Sequence, residues 1–227
     1  MIQCDEETHT YKVDGIPYKS VTTLIASWFP KFDAKHTLRG MKASPSWESS
    51  KYFGMTDDEI ICKWESDGKL AAQLGTDLHY YIEQYLKQNP LEGDSVEIQQ
   101  FKQFASDTHL VVHELEWRLF DSTTKITGAI DCACINKDGT LDLYDWKRCG
   151  NMLKTHGFAT LPELVHIPSS NYWKYTIQLN MYKYLVEKTT SYKVKNMFIV
   201  CFHPSNLGYQ KYRVTDMYIE NVLKRFE

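Results

Sequence analysis

The chain has 227 residues, 43% of them hydrophobic and 14% aromatic, enough apolar mass for one sizeable buried core. A formal net charge of −3 excludes a surface that is basic throughout, so any contact with a polyanion has to be local. No stretch approaches the ~20 apolar residues of a membrane span, and the acidic opening Met1-Ile2-Gln3-Cys4-Asp5-Glu6-Glu7 is unlike a secretory or mitochondrial leader. The expectation is a soluble intracellular protein with no membrane partner.

Residues 9–13 and 16–19 read as strands flanking Asp14-Gly15, a small hairpin, and Ser20 as the N-cap of a helix through Trp28. Residues 31–42 carry Lys31, Lys35, His36, Arg39 and Lys42, a basic face if helical, either solvated or set against a nucleic-acid backbone. Residues 41–53 read as a loop. Thr56-Asp57-Asp58-Glu59 is a capping box that opens a helix through Glu65, and after Gly68 a second helix spans 69–88 and stops at Asn89-Pro90. A third helix covers 95–106, and a strand over 111–120 alternates at Glu114, Glu116 and Arg118.

Strands over 125–135 and 140–148 follow, joined by a turn at Asn136-Lys137-Asp138-Gly139, since Asp-Gly is a hairpin signal. Residues 149–170, with Gly150, Gly157, Pro162 and Pro168, show no regular element, and a loop of that length is usually functional or mobile. An aromatic helix over 171–189, a buried strand over 197–202, a shorter strand over 209–214 and a closing helix over 215–226 complete the chain. That order predicts an α/β sandwich with helices covering one sheet.

The 136–139 turn sets Asp131 within about one residue of Asp145, where facing side chains have Cβ atoms roughly 5 Å apart. Asp145 and Lys147, two apart on one strand, share a face. Two carboxylates and an ammonium therefore converge, a set that suits a hard divalent cation with a lysine beside it to manage water or phosphate charge. Asp-x-Lys alone is commonly a solvated strand edge. Here Ile126, Ile130, Ile135, Leu141 and Leu143 make both strands core-like, and a core strand seldom buries Asp and Lys without pairing them or giving them a task. On helices, His79 shares a face with Glu83, and Gln178 with Tyr182; taken singly these read as ordinary packing. The cysteines at 4, 62, 132, 134, 149 and 201 include no C-x-x-C pair and read as reduced, mostly buried thiols.

In combination, Gly75-x-x-x-His79, Gly128-x-x-Asp131, Asp145-x-Lys147 and Gln178-x-x-x-Tyr182 resemble the PD-(D/E)XK nuclease superfamily, in its RecB-type exonuclease branch. The likeness spans about residues 75–186, and that branch includes the mitochondrial genome maintenance exonuclease. The Ser20-Val21-Thr22-Thr23-Leu24 and Asn171-Tyr172-Trp173-Lys174-Tyr175 segments are similar to phage and large-virus members, which would set the protein in the cytoplasm or nucleus of an infected host.

The resemblance implies a restriction-endonuclease-like α/β core, a central mixed sheet flanked by helices. It implies one nuclease domain over 1–227, with 1–68 as a hairpin and helical extension and 69–227 as the core. Asp131, Asp145 and His79 would be metal ligands, helped by the Trp146 carbonyl, with Glu83 or Glu116 as a further acid. Lys147 would position or deprotonate water, while Gln178 orients Lys147 and, with Tyr182, contacts the strand. The metal would be Mg²⁺ or Mn²⁺, an imidazole ligand favouring Mn²⁺.

Iron–sulfur members carry one cysteine before the histidine block and three near the C-terminus; Cys62 could stand for the first, but Cys201 stands alone beyond Cys149, so no cluster is expected. No G-x-x-x-x-G-K-[ST] occurs, so a helicase or recombination partner would be another chain. The implied activity is a metal-dependent DNA exonuclease on single-stranded or end-containing DNA, in replication, recombination or repair. A structure-specific or nicking endonuclease and a non-catalytic nucleic-acid-binding module are the alternatives. Trp173 and Tyr175, with Tyr172 and Tyr182, would stack bases beneath the 149–170 segment, or else form a buried stripe.

Overall fold

A computed structural model describes the backbone of residues 2–5 and 10–226 and the side chains of residues 11–226. It divides into two compact units, one of residues 1–30 with 78–227 and one of residues 31–77.

The first unit opens with β1 (Ile2–Asp5), β2 (Thr10–Val13) and β3 (Ile16–Ser20), an antiparallel meander whose turn at Asp14-Gly15 carries positive φ at both residues. His9, expected at the start of the second strand, lies outside the described residues. Ser20 caps α1 (Val21–Ser27), its Oγ accepting from the Thr23 N–H at 3.1 Å.

In the second unit, Asp33 caps α2 (Ala34–Lys42) and the 41–53 stretch holds one 3₁₀ turn, Trp47–Ser49. Trp64 receives edge-on contacts from Phe32 and Tyr52 there, and Lys42 pairs with Asp57. The capping box forms as expected, Glu59 Oε2 accepting from the Thr56 N–H at 2.7 Å and Thr56 Oγ1 from the Glu59 N–H at 3.3 Å. It opens α3 (Asp57–Leu86), a single helix of 30 residues. The break expected at Gly68 does not occur: a helical glycine costs only about 1 kcal/mol, and the flanking turns are long enough to carry it.

From Leu78 onward α3 belongs to the first unit. There it joins α4 (Val96–Thr108), capped by Ser95, on one face of a mixed sheet. That sheet contains β4 (Val112–Asp121), β5 (Ile126–Ile135) and β6 (Leu141–Lys147), all antiparallel. After α5 (Asn171–Thr189) come β7 (Val194–Cys201), parallel to β6, and the antiparallel edge strand β8 (Gln210–Arg213). β4 lines one edge of β5 throughout, so β3, parallel at Ile126–Thr127, and β6, at Cys132–Ile135, share the other edge. The pairing of β3 with β5 joins the N-terminal meander to this sheet.

α1, α5 and α6 (Glu220–Leu223) cover the second face with Leu141, Leu143, Ile177, Leu179, Leu185 and Val222. Helices thus flank a mixed sheet on both sides, an architecture compatible with a restriction-endonuclease-like core. The closing helix expected over 215–226 shrinks to α6 and the 3₁₀ turn Lys224–Phe226. The buried Asn180 amide is the cause, because its Oδ1 accepts from the Met217 N–H at 2.7 Å and its Nδ2 donates to the Thr215 carbonyl at 3.1 Å, which holds that segment extended. The 149–170 segment is no open loop. Phe158 bridges Pro168, and a 3₁₀ turn spans Pro162–Leu164. Among the described residues no helix is long and apolar enough to cross a membrane.

Gly128 is where sheet and helix come closest: a Cβ there would stand 2.5 Å from Tyr182 Cε1 and 3.3 Å from Val21 Cγ2. Tyr182 is 3% exposed and has nowhere to retreat. Gly128→Ala should cost about 1–3 kcal/mol through overpacking, read as a lower midpoint in urea unfolding.

Candidate active site

The β5–β6 ladder ends at the pair Cys132↔Tyr144. One step further the strands part, and Asp131 and Asp145 face each other across the gap. The Trp146 N–H, without a ladder partner there, donates to Asp131 Oδ2 at 2.7 Å, and the Trp146 carbonyl accepts from His79 Nε2 at 2.8 Å. The indole, 2% exposed, stacks on Tyr144 and is met edge-on by Phe101 and Phe104, so this peptide is firmly anchored.

Because a carbonyl can only accept, His79 Nε2 carries a proton, and in the neutral ring it is Nδ1 that holds the lone pair. That is the tautomer a metal needs. Nδ1 lies 3.7 Å from Asp131 Oδ2, on the side opposite the Trp146 contact.

Glu116 completes this corner. Leu115 pairs with Cys132 and Trp117 with Ile130, so Glu116 stands across from Asp131. Both strands change face at that step: Trp117, Leu119, Ile126 and Ile130 pack with the α5 cluster, Leu115, Cys132 and Cys134 with the α3–α4 cluster. The turnover is absorbed by Glu116 at φ +48°, a left-handed conformation that costs a non-glycine residue about 1–2 kcal/mol. His79, Glu116 and Asp131 each offer a ligand atom within 4.8 Å of the others. Burial, then the charges of Asp131 and Glu83, push the Glu116 carboxyl up to about 7. Glu83 itself pairs with Lys87.

Asp145 is fully buried and differently engaged. Its Oδ1 accepts from Gln178 Nε2 at 2.9 Å and its Oδ2 lies 2.6 Å from Lys147 Nζ. Burial raises its carboxyl and Lys147 opposes that, leaving it at about 6. For Lys147, burial alone would lower the pKa, but the charges of Asp145 and Asp131 more than offset it and hold the ammonium above its ordinary value. Gln178 Nε2 also donates to the Tyr182 hydroxyl at 3.0 Å, and Lys147 Nζ sits 4.8 Å from the Tyr175 ring centroid.

The acidic and basic side chains of the hairpin and their helix partners form two groups. His79 and Asp131 join Glu116, while Asp145 turns to Lys147 and Gln178. Gln178 and Tyr182, expected at a bound strand, are 7% and 3% exposed and form part of the wall. The Trp146 carbonyl, expected at the metal, is bonded to His79. Trp173 is half-buried, edge-on to Tyr172 and packed on the core. The prominence of Glu116 over Glu83 was readable from hairpin counting across 121–125. The Tyr175 contact was readable too, since 175, 178 and 182 share a helix face.

No family model matches the chain, and no curated protein matches it. Similar solved structures include an alkaline exonuclease from Laribacter hongkongensis, at 11% identity and a TM-score of 0.43 over 92% of this chain and 85% of that one. A candidate exonuclease from Eubacterium rectale is 14% identical, with a TM-score of 0.34 over 63% and 68%. The protein titled SSO0001 is 15% identical, with a TM-score of 0.33 over 57% of this chain, which spans about half (53%) of that protein's length.

Two outcomes follow for the metal-free protein. Glu116→Gly removes both the left-handed strain and a half-buried carboxyl, so it should stabilise the fold by about 1 kcal/mol in urea unfolding. Lys147→Met strips the buried Asp145 of its counter-charge and should cost about 3–5 kcal/mol at pH 8. Asp145 titrates near 3.8 unfolded and already at about 6 folded with the lysine present, so in the variant its folded pKa rises further. A raised carboxyl pKa means stability lost as pH climbs through that window, so the loss should be smaller at pH 5 than at pH 8.

Proposed function

We propose that this chain is a divalent-metal-dependent deoxyribonuclease, an exonuclease that hydrolyses phosphodiester bonds in single-stranded or end-containing DNA during replication, recombination or repair. The observation that carries the reading is the His79–Glu116–Asp131 cluster, within 4.8 Å, beside the buried Asp145–Lys147 pair. One imidazole and two carboxylates form a donor set that fits Mg²⁺ or Mn²⁺, with the imidazole favouring Mn²⁺. Such an ion, when bound, supplies Lewis acidity and an acidified water.

The protein's own groups do the remainder. Trp146 and Asp131 fix one another, and through the Trp146 carbonyl they fix the His79 ring. Lys147, its pKa raised and 15% exposed, stays protonated at neutral pH, so it serves as a charge stabiliser and hydrogen-bond donor toward phosphate oxygens rather than as a base. Asp145 holds that ammonium, and Gln178 holds Asp145. In the 149–170 arm, Ala159 N–H to Ile167 carbonyl at 2.9 Å and Ser169 N–H to Gly157 carbonyl at 2.8 Å are bracing bonds, and Phe158 stands 58% exposed upon it. An exposed ring on a rigid arm suits base stacking. A helicase or recombination partner would be a separate chain.

End-labelled linear and covalently closed single-stranded DNA, incubated with Mn²⁺ or Mg²⁺, test this directly. Linear strands should be degraded, faster with Mn²⁺, closed circles spared, and Asp131→Asn should lower the rate by about 10³ or more. Cutting of closed circles would make the enzyme an endonuclease. No cleavage together with no Mn²⁺ binding would remove the reading altogether.

A further inference from the structure

We propose that Tyr175 is a positioning residue whose ring face, together with Asp145, fixes the place of the Lys147 ammonium. Lys147 Nζ lies 2.6 Å from Asp145 Oδ2 and 4.8 Å from the centroid of the Tyr175 ring. A lysine has four rotatable side-chain bonds, and an ion pair to one oxygen fixes a distance while leaving an arc of positions open. A second contact of a different kind closes the arc. An ammonium over an aromatic face is attracted by the ring quadrupole by ~0.5–2 kcal/mol, more where water is excluded.

The helix makes this a built arrangement. Tyr175, Gln178 and Tyr182 lie on one face of α5, three and four residues apart, and each makes the next contact inward: the ring on Lys147, Gln178 on Asp145, Tyr182 on Gln178. Burial, more than the opposing Lys147, pushes the Tyr175 hydroxyl up to about 12, so the ring stays a neutral phenol and does not compete with Asp145 as an anion. The face turned to Lys147 is also taken from any base, so Tyr175 does not serve as a stacking platform there. This inference rests on the reading of Lys147 as the active-site ammonium.

The test compares Tyr175→Leu with Tyr175→Phe in the full chain. Loss of the ring should lower kcat about tenfold, equivalent to ~1.4 kcal/mol, with KM and the Mn²⁺ dissociation constant unchanged within about twofold. Phe, which keeps the face and discards the hydroxyl, should recover kcat. Equal losses in both variants, or a change in KM alone, would overturn the proposal. An independent readout needs no activity: the Lys147 ε-methylene protons should be displaced upfield by the ring current in wild type and Tyr175→Phe, and not in Tyr175→Leu. If wild type cleaves no DNA while that displacement is present, the nuclease reading fails and the positioning contact stands. If Tyr175→Leu does not fold, the wild-type spectrum decides, and absence of the displacement overturns the contact.

Discussion

The peptide group of Trp146 has its donor on Asp131 and its acceptor on His79, and both groups are placed where no neighbouring strand can satisfy them. Buried backbone N–H and C=O groups must be paired, at a cost of about 1–3 kcal/mol each if they are not. Where β6 leaves β5 the ladder can no longer supply partners, so side chains have to. The two that do so are a carboxylate and an imidazole, and the Trp146 indole, locked among Tyr144, Phe101 and Phe104, prevents the peptide from turning away. Core packing on one face of the sheet thereby fixes the candidate ligands at its edge, and the His79 bond ties α3 to the sheet.

Two costs gather at this point. The Asp145–Lys147 pair is taken out of water, a desolvation that attraction between the charges need not repay, so it is poor evidence for stability. Glu116 adds a left-handed backbone in mid-strand and a half-buried carboxyl facing Asp131. The turnover of the strands calls for a left-handed residue at this step, but a glycine would supply it without strain or charge. Strain and buried charge among groups that act on one another are what a site, rather than a scaffold, accumulates.

Much of this was legible in the sequence because it depends on counting. Hairpin arithmetic places Asp131 against Asp145, period two sets Asp145 with Lys147, and period 3.6 sets Gln178 with Tyr182. The capping box at Thr56–Glu59 and the N-cap at Ser20 are local chemistry and formed where expected. What counting misses is decided by tertiary partners. Gly68 signals a break only until the flanking turns are known to continue. The stretch before α6 reads as helix until Asn180 claims the backbone of Thr215 and Met217. Hairpin counting sets Glu116 opposite Asp131, but its left-handed backbone belongs to the change of face beneath it.

The electrostatics of the corner also bear on how a polyanion could approach. Glu116 and Asp131 crowd one point, and the elevation of Glu116 to about 7 is the measure of their repulsion and burial. Such a corner repels phosphate as it stands, and with a net charge of −3 the chain offers no broad basic surface to compensate. A divalent cation relieves both carboxylates at once and reverses the sign of the local field. On the proposed reading, then, the cation does more than chemistry: it is a condition for substrate approach. Linkage makes that reciprocal, so a phosphate drawn to the Lys147 side must tighten the hold on the cation by the same factor.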